Sequence, residues 1–229
     1  MSFTHAIGAA ADKIVVIIVR ALAIARIHPN TLTFIGVLIN VAAAAILATG
    51  NFRVAGGVMV FAAIFDLVDG RVARATGRVT RFGGFFDSVM DRYSDLFLLI
   101  GLLVYYASIN RFFYIVLTAV AMVATVMVSY ARSRAENVIP KCKVGFMERP
   151  ERVVLLIIGA LADRMAPVLW VIAVLGNLTV IHRMIYTWQE TRRLEAEEAV
   201  QAAVAAADPP SAESGPREKA VRGHESPAT

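Results

Sequence analysis

Four aspartates stand in two pairs, each at a junction between an apolar run and a polar stretch. Asp66 and Asp69 close the apolar run 54–65. Asp87 and Asp91 open the next apolar run. If both runs are helices, spacings of three and four residues place each pair on one helix face, and both pairs reach the same membrane surface. Converging carboxylates need cations, and their hard oxygen atoms suit Mg²⁺, Ca²⁺ or Mn²⁺, so the spacing predicts a metal site.

Ion pairing with nearby arginines is an alternative role for these aspartates. The arginines between the two pairs are Arg71, Arg74, Arg78 and Arg81. Ion pairing alone does not require a regular spacing of the acids, and the metal site is therefore the preferred interpretation. Asp95 continues the face of the second pair one turn deeper, where we expect it to pair with an arginine.

Small residues and an arginine occupy fixed positions between the two pairs. The chain reads Asp-Leu-Val-Asp-Gly-Arg-Val-Ala-Arg over 66–74 and, after eight residues, Gly-Gly-Phe-Phe-Asp-Ser-Val-Met-Asp over 83–91. This pattern, D-x2-D-G-x2-A-R-x8-G-x3-D-x3-D, resembles the signature of the CDP-alcohol phosphotransferases. Members of that family exchange the CMP of a CDP-activated lipid for an alcohol.

The resemblance implies a chemistry for the aspartates. A CDP-linked lipid such as CDP-diacylglycerol carries a pyrophosphate, and Asp66, Asp69, Asp87 and Asp91 would hold two Mg²⁺ ions against it, with Mn²⁺ as an alternative. The family also implies that Asp91 acts as the general base toward the acceptor hydroxyl. A homodimer is a further implication of the resemblance.

The composition is that of an integral membrane protein. Hydrophobic residues make up 58% of the chain, and the mean hydropathy is +0.63. The formal net charge of +5 does not indicate nucleic acid as a partner, because the basic residues cluster at helix ends, where anionic lipid and phosphate groups lie. The single cysteine, Cys142, excludes an intrachain disulfide.

We predict an all-α protein with six transmembrane helices and an N-terminal interfacial amphipathic helix over 1–28. Charges interrupt the helical apolar pattern of that first segment, and a signal peptide is the alternative. Residues 29–189 form the six-span domain, and 190–229 form a cytoplasmic helical extension with a disordered tail. The predicted spans cover 30–46, 54–73, 83–107, 111–129, 150–162 and 167–186.

The distribution of basic residues predicts the orientation. In this six-span arrangement Arg53, Arg111 and Arg164 lie on one side, and the other basic residues lie on or near the opposite side. The positive-inside rule then places both termini and the aspartates at the cytoplasmic face of the cell membrane, where a nucleotide-activated lipid is available.

Several residues near the aspartates are candidates for binding the nucleotide. Gly70 lets a ligand approach the helix backbone, Arg74 follows one turn later, and Thr80 is available as a donor to phosphate or cytidine. A helix N-terminus that begins near Pro29 offers free amides to phosphate, with Asn30 or Thr31 as its cap. The residues assigned to this N-terminus are Pro29, Asn30, Thr31 and Leu32.

Four arginines on later segments are candidates for a second phosphate site. Guanidinium groups bind phosphate bidentately, and we predict that these arginines converge near the metal site. Ordinary flanking of helix ends is the alternative, although one of the four lies well inside an apolar run. They are Arg132, Arg134, Arg152 and Arg183.

The acceptor alcohol is predicted from these arginines together with a further resemblance. The arginines favour a phosphorylated acceptor, and the segments 133–136 and 145–152 resemble those of bacterial phosphatidylinositol-phosphate synthases, which implies inositol 1-phosphate. Glycerol 3-phosphate is the alternative acceptor. A cation transporter with an intramembrane carboxylate site is the alternative of another class, and CMP release distinguishes it from the enzyme.

Overall fold

The computed structural model describes residues 28–75, 77 and 79–207, apart from the side chains of Asp69, Ala73, Ala75 and 205–207. The interfacial helix predicted before His28 and the tail beyond Ala207 lie outside the described residues. The predicted all-α class is confirmed, because the described residues form six helices and no strand. The helices are α1 (Pro29–Ala48), α2 (Phe52–Ala75), α3 (Arg81–Ser108), α4 (Phe112–Ala135), α5 (Arg149–Leu161) and α6 (Met165–Ala207).

Three of these helices are long and apolar enough to cross a membrane: α1, α4 and the part of α6 from Met165 to Val204. Their outward faces carry large apolar side chains, such as Leu38 on α1 and Leu178 on α6, which are each about half exposed. Apolar surface of this extent belongs against lipid, and the chain is a membrane protein. With 13 residues, α5 is shorter than the roughly 20 residues of a perpendicular span.

Two helix ends differ from the sequence-based expectation. Neither Asn30 nor Thr31 caps α1; the cap is His28, whose Nδ1 accepts a hydrogen bond from the Asn30 amide at 3.3 Å. Pro29 explains the shift, because a proline without an N–H fits the first helical position and leaves capping to the residue before it.

The sixth helix continues well past the predicted end at residue 186. No glycine or proline interrupts the chain between Tyr186 and Ala207, and alanine, glutamate and arginine favour the helix there. Exposed pairs one turn apart add modest support, such as Arg193 Nε with Glu197 Oε1 at 2.8 Å. The sixth run and the predicted helical extension are therefore one element.

Close helix packing brings the ends of several helices together. α1 packs against both α2 and α3, and a Cβ at Gly101 of α3 would overlap the carbonyl of Ala44 on α1. α2 packs against α5, and α3 packs against α4. Gly176 of α6 lies against Ala124 of α4. This arrangement places the end of α2 beside the beginnings of α3 and α5.

The loop between α4 and α5 folds back into the protein. Ile139, Cys142 and Met147 are buried, although Lys141, next to Cys142, is exposed. Gly145 has a φ of 100°, a backbone conformation that favours glycine, and it lies directly against Thr179 of α6. The Thr179 hydroxyl also accepts a hydrogen bond from the Met147 amide at 3.4 Å, so the loop is fixed to α6.

Candidate active site

Two of the predicted aspartates meet on one guanidinium group. Asp66 near the end of α2 and Asp91 near the start of α3 both contact Nη1 of Arg149, the first residue of α5. The distance from Nη1 to Asp91 Oδ1 is 3.0 Å. The carboxylates of two helices therefore converge on a cation that a third helix supplies.

The other two aspartates of the predicted metal site stand close by in the sequence. Asp87 lies one turn before Asp91 and interacts electrostatically with both Asp66 and Asp91. The side chain of Asp69 lies outside the described part of the chain. Among the described side chains, no three His, Cys, Asp or Glu residues form a group that alone holds a metal ion.

The donor set nevertheless fits a hard divalent cation. Asp66, Asp87 and Asp91 present only carboxylate oxygens, which are the ligands that Mg²⁺ and Mn²⁺ take in proteins. Arg149 already binds between two of these carboxylates, so their negative charge is directed at one point. The fit to a metal ion therefore rests on the chemistry of these oxygen donors, and Arg149 is a neighbouring cation.

A cavity of about 520 Å³ opens beside Asp91, and we call it the arginine cavity. It lies between α3, α4, α5 and α6, and acidic residues accompany its arginines. Its charged lining consists of Asp91, Arg92, Asp95, Arg132, Glu136, Glu148, Arg149, Arg152 and Arg183.

Arg152 and Asp95 form a buried ion pair in this cavity, as the sequence predicts for Asp95. Their side chains are 3% and 4% exposed, and Arg152 Nη2 lies 2.6 Å from Asp95 Oδ2. Arg152 Nη1 donates to the carbonyl of Met147 at 2.9 Å, whereas Nε has no hydrogen-bond partner. Arg149 Nε and Asp95 Oδ1 also make no hydrogen bond, although they lie 3.5 Å apart. Buried donors without a partner indicate where an acceptor group would be stabilised.

Arg183 is buried inside the protein and joins several segments. Its Nε donates to the carbonyl of Val144 at 2.9 Å, and its Nη1 donates to the carbonyl of Val128 at 2.5 Å. Its Nη2 binds Glu148 Oε1 at 3.0 Å. Arg183 therefore lines the predicted site, and it also ties α4 and the following loop to α6.

The two arginines near the end of α4 have different surroundings. Arg132 lines the arginine cavity and binds Glu148 Oε1 through Nη1 at 2.7 Å and Glu136 Oε1 through Nε at 3.1 Å. Arg134 is exposed and does not line this cavity. Two residues along a helix turn the side chain to another face, so the prediction that all four arginines converge is wrong for Arg134.

A second cavity of about 260 Å³ lies beside Asp87, and we call it the glycine cavity. Asp87 contributes to its wall together with Gly70, Gly83 and Gly84. Five of the predicted nucleotide-binding residues line it: Pro29, Asn30, Gly70, Arg74 and Thr80.

Two residues predicted for the same site lie outside the glycine cavity. Thr31 is exposed, and Leu32 is packed in the interior with 2% of its surface exposed. Both follow Asn30 on α1, where the turn of about 100° per residue points their side chains to other faces of the helix, and Thr33, about one turn after Pro29, lines the cavity again. Thr80 caps α3, since its Oγ1 accepts a hydrogen bond from the Gly83 amide at 2.9 Å.

Sequence reasoning did not assign roles to Arg149, Glu148 or Arg92. Arg149 and Glu148 lie in the segment 145–152, from which the sequence predicts a role only for Arg152. A carboxylate cluster that needs a cation was the available signal for Arg149. Arg92 directly follows Asp91, and its Nη1 binds the backbone carbonyl and the hydroxyl of Ser88 one turn earlier.

The chain is similar in sequence to known phospholipid synthases. An archaetidylinositol phosphate synthase of Methanothermobacter thermautotrophicus is 36% identical over 167 residues, which cover 70% of this chain and 83% of the relative. A phosphatidylinositol phosphate synthase of Mycobacterium tuberculosis is 32% identical over 191 residues, which cover 79% of this chain and 88% of the relative.

Solved structures of the Mycobacterium tuberculosis phosphatidylinositol phosphate synthase have the same fold. One, with CDP-DAG bound, has a TM-score of 0.71 and 29% identity, and the match covers 77% of this chain and 94% of that one. Another, in complex with manganese and citrate, has a TM-score of 0.69 and 30% identity, with 75% and 87% covered. The family model of the CDP-alcohol phosphatidyltransferases matches residues 26–189. The chain belongs to the CDP-alcohol phosphatidyltransferase family and is a membrane-bound transferase.

Proposed function

We propose that this enzyme transfers the phosphatidyl group of CDP-diacylglycerol to inositol 1-phosphate, which yields phosphatidylinositol phosphate and CMP. The observation that carries the proposal is that Asp87 and Asp91 line two unlike cavities. Asp87 lines the glycine cavity, and Asp91, one turn later on the same helix, lines the arginine cavity. A donor and an acceptor bound in these cavities would meet at the carboxylates.

The glycine cavity is the proposed binding site of the cytidine diphosphate group. Gly70 and Gly84 leave space close to the helix backbone, and Arg74 supplies a positive charge for a phosphate. Pro29 and Asn30 line the same cavity at the start of α1. The structure of the related Mycobacterium tuberculosis enzyme with CDP-DAG bound supports the choice of donor.

Asp66, Asp69, Asp87 and Asp91 are the proposed ligands of two Mg²⁺ ions, with Mn²⁺ as an alternative. When bound, such ions neutralise the pyrophosphate and favour departure of CMP. The relative solved in complex with manganese and citrate supports a divalent metal.

Asp91 is the proposed general base. Its carboxylate accepts the proton of the acceptor hydroxyl while that oxygen attacks the lipid-side phosphorus, and the bond from this phosphorus to the CMP oxygen breaks. Arg149, at 3.0 Å from Asp91 Oδ1, orients the carboxylate toward the arginine cavity. The proton therefore passes to Asp91, and the electron pair of the broken bond leaves with CMP.

The arginine cavity is the proposed site of the phosphorylated acceptor. Arg152 presents an unpartnered, buried Nε, and Arg132 and Arg183 contribute further guanidinium groups. A phosphomonoester supplies the negative charge and the acceptor oxygens that these donors need. The names of the relatives differ in the lipid, archaetidyl or phosphatidyl, and share inositol phosphate.

A six-span topology completes the proposal. Both termini, the aspartates and the two cavities would then lie at the cytoplasmic side of the cell membrane. The basic ends of α2 and α4, which carry Arg74, Arg132 and Arg134, support this orientation. A homodimer is also proposed, on family resemblance.

An assay of CMP release by the purified full chain tests the function. CDP-diacylglycerol and Mg²⁺ are supplied with inositol 1-phosphate, free inositol or glycerol 3-phosphate in parallel. We expect turnover with inositol 1-phosphate and its loss when EDTA removes the metal. Equal or faster turnover with another acceptor refutes the proposed acceptor, and metal flux into liposomes without CMP release would favour a transporter.

A further inference from the structure

One carboxylate oxygen in the arginine cavity holds two arginines at once. Glu148 Oε1 accepts hydrogen bonds from Arg132 Nη1 at 2.7 Å and from Arg183 Nη2 at 3.0 Å. These arginines belong to α4 and α6, whereas Glu148 immediately precedes α5. An anionic oxygen between two guanidinium groups has the same surroundings that a phosphate oxygen would take there.

The position of Glu148 in the chain gives its side chain a second possible partner. Glu148 is the N-cap residue of α5, yet its side chain makes no capping hydrogen bond. A carboxylate at an N-cap is stabilised by the free amides and the positive end of the helix. Pro150 has no amide to offer, so the Glu151 amide is the nearby donor for a capping carboxylate. The Glu148 side chain is 38% exposed and has room to turn.

We infer that Glu148 is a displaceable internal anion, which leaves Arg132 and Arg183 when the phosphate of the acceptor binds them. This inference rests on the proposed function. Before displacement the carboxylate keeps the buried Arg183 paired; after displacement it caps α5. A phosphate offsets the free-energy cost of this exchange, because it binds the released guanidinium groups. A neutral alcohol has no charge with which to replace the carboxylate.

Selectivity against unphosphorylated acceptors follows from the exchange. Glu148 lowers the affinity of every ligand that must displace it, and only an anion recovers the loss through Arg132 and Arg183. The residue therefore sets which acceptors bind, and it takes no part in the transfer step.

Calorimetric titration of the purified full chain with inositol 1-phosphate tests the inference. We expect Glu148→Gln to lower the Kd by about three- to tenfold, because the neutral amide competes more weakly for the arginines. The affinity for free inositol should change by less than about twofold. Glu197→Gln is the control: it removes a carboxylate from an exposed pair with Arg193 that does not line the arginine cavity, and the Kd should stay within about twofold of the wild type.

An unchanged or higher Kd for Glu148→Gln overturns the inference, because Glu148 would then only position the arginines. Glu148→Ala carries the same expectation should the glutamine variant fail to fold. Hydrogen exchange in the wild type needs no variant: saturating inositol 1-phosphate should slow exchange of the Glu151 amide, and unaltered exchange counts against displacement. A wild type that releases CMP with inositol 1-phosphate but fails these tests keeps the proposed function, whereas one that neither binds nor uses that acceptor loses both.

Discussion

The two cavities beside the aspartates use opposite means to accommodate a ligand. The arginine cavity contains five arginines and four acids, and most of its guanidinium groups already bind a carboxylate or a carbonyl of the protein. In the glycine cavity, Arg74 is the one arginine among the described lining residues, and three glycines contribute to the wall. The comparison indicates that charged side chains determine which ligand binds in the arginine cavity. In the glycine cavity, the ligand binds where the absence of side chains lets it approach the helix backbone.

Replacement of the Asp91 carboxylate should have the largest effect. Asp91→Asn removes the proposed base, and we expect CMP release to fall by about 10²- to 10⁴-fold while CDP-diacylglycerol still binds. Turnover and donor binding are measured separately at saturating Mg²⁺. Asp163→Asn is the control, since this aspartate is exposed and pairs only weakly with Arg53 at 3.7 Å. Near-normal turnover of the Asp91 variant would remove the residue from its proposed role.

A substitution confined to the arginine cavity should weaken binding of the acceptor and leave binding of the donor unchanged. Arg152→Lys keeps a positive charge beside the buried Asp95 but removes the unpartnered Nε donor. Loss of one charge-assisted hydrogen bond costs about 1.5–3 kcal/mol, so the KM for inositol 1-phosphate should rise about ten- to a hundredfold. The Kd for CDP-diacylglycerol should not change. An equal loss of affinity for both substrates would mean that the two cavities are not separate binding sites.

A methyl group in the glycine cavity should have the converse effect. A Cβ at Gly70 would lie 3.8 Å from Arg74 Nη1, an ordinary contact, so we expect Gly70→Ala to fold. Crowding of the ligand should raise the KM for CDP-diacylglycerol about tenfold and leave that for inositol 1-phosphate unaltered. Gly57→Ala on the same helix is the matched control, because a Cβ there meets nothing within 4 Å. Wild-type kinetics for Gly70→Ala would show that the donor does not approach this wall.

The smallest effect is expected for Arg134, whose side chain lies outside the arginine cavity. Arg134→Gln should change the KM for inositol 1-phosphate by less than about twofold, because Arg134 is exposed and lies outside the arginine cavity. Initial rates over a range of acceptor concentrations measure this KM, and the Arg152→Lys variant is assayed in parallel. A tenfold rise in KM would restore Arg134 to the acceptor site.

Much of this arrangement could be predicted from local sequence. Apolar runs and their charged ends predict the helices, and Asp66 and Asp91 follow from their positions in those runs. Helical spacing also explains why Gly70 and Arg74 lie in one cavity. Such patterns succeed because the membrane imposes long, regular helices and excludes unpaired charge.

Relations between segments far apart in the sequence could not be predicted in the same way. Arg149 reaches Asp66 across 83 positions, and no periodic pattern encodes that contact. The positions of Thr31, Leu32 and Arg134 outside the two cavities have a different origin, which is helical phase. A cluster of suitable residue types on one helix was assigned to one site, although successive side chains point in different directions.

The positive φ of Gly145 has a consequence for exchanging acceptor preferences between related enzymes. Any other residue there would strain the backbone and overlap Thr179, and its own Cβ would also stand 3.5 Å from Arg183 Nε. The loop between α4 and α5 would therefore have to be exchanged together with Thr179 and Arg183. A chimaera that receives the loop without Thr179 and Arg183 would misplace the Val144 carbonyl that Arg183 binds. Such an enzyme would lose activity with its original acceptor and would not gain activity with the new one.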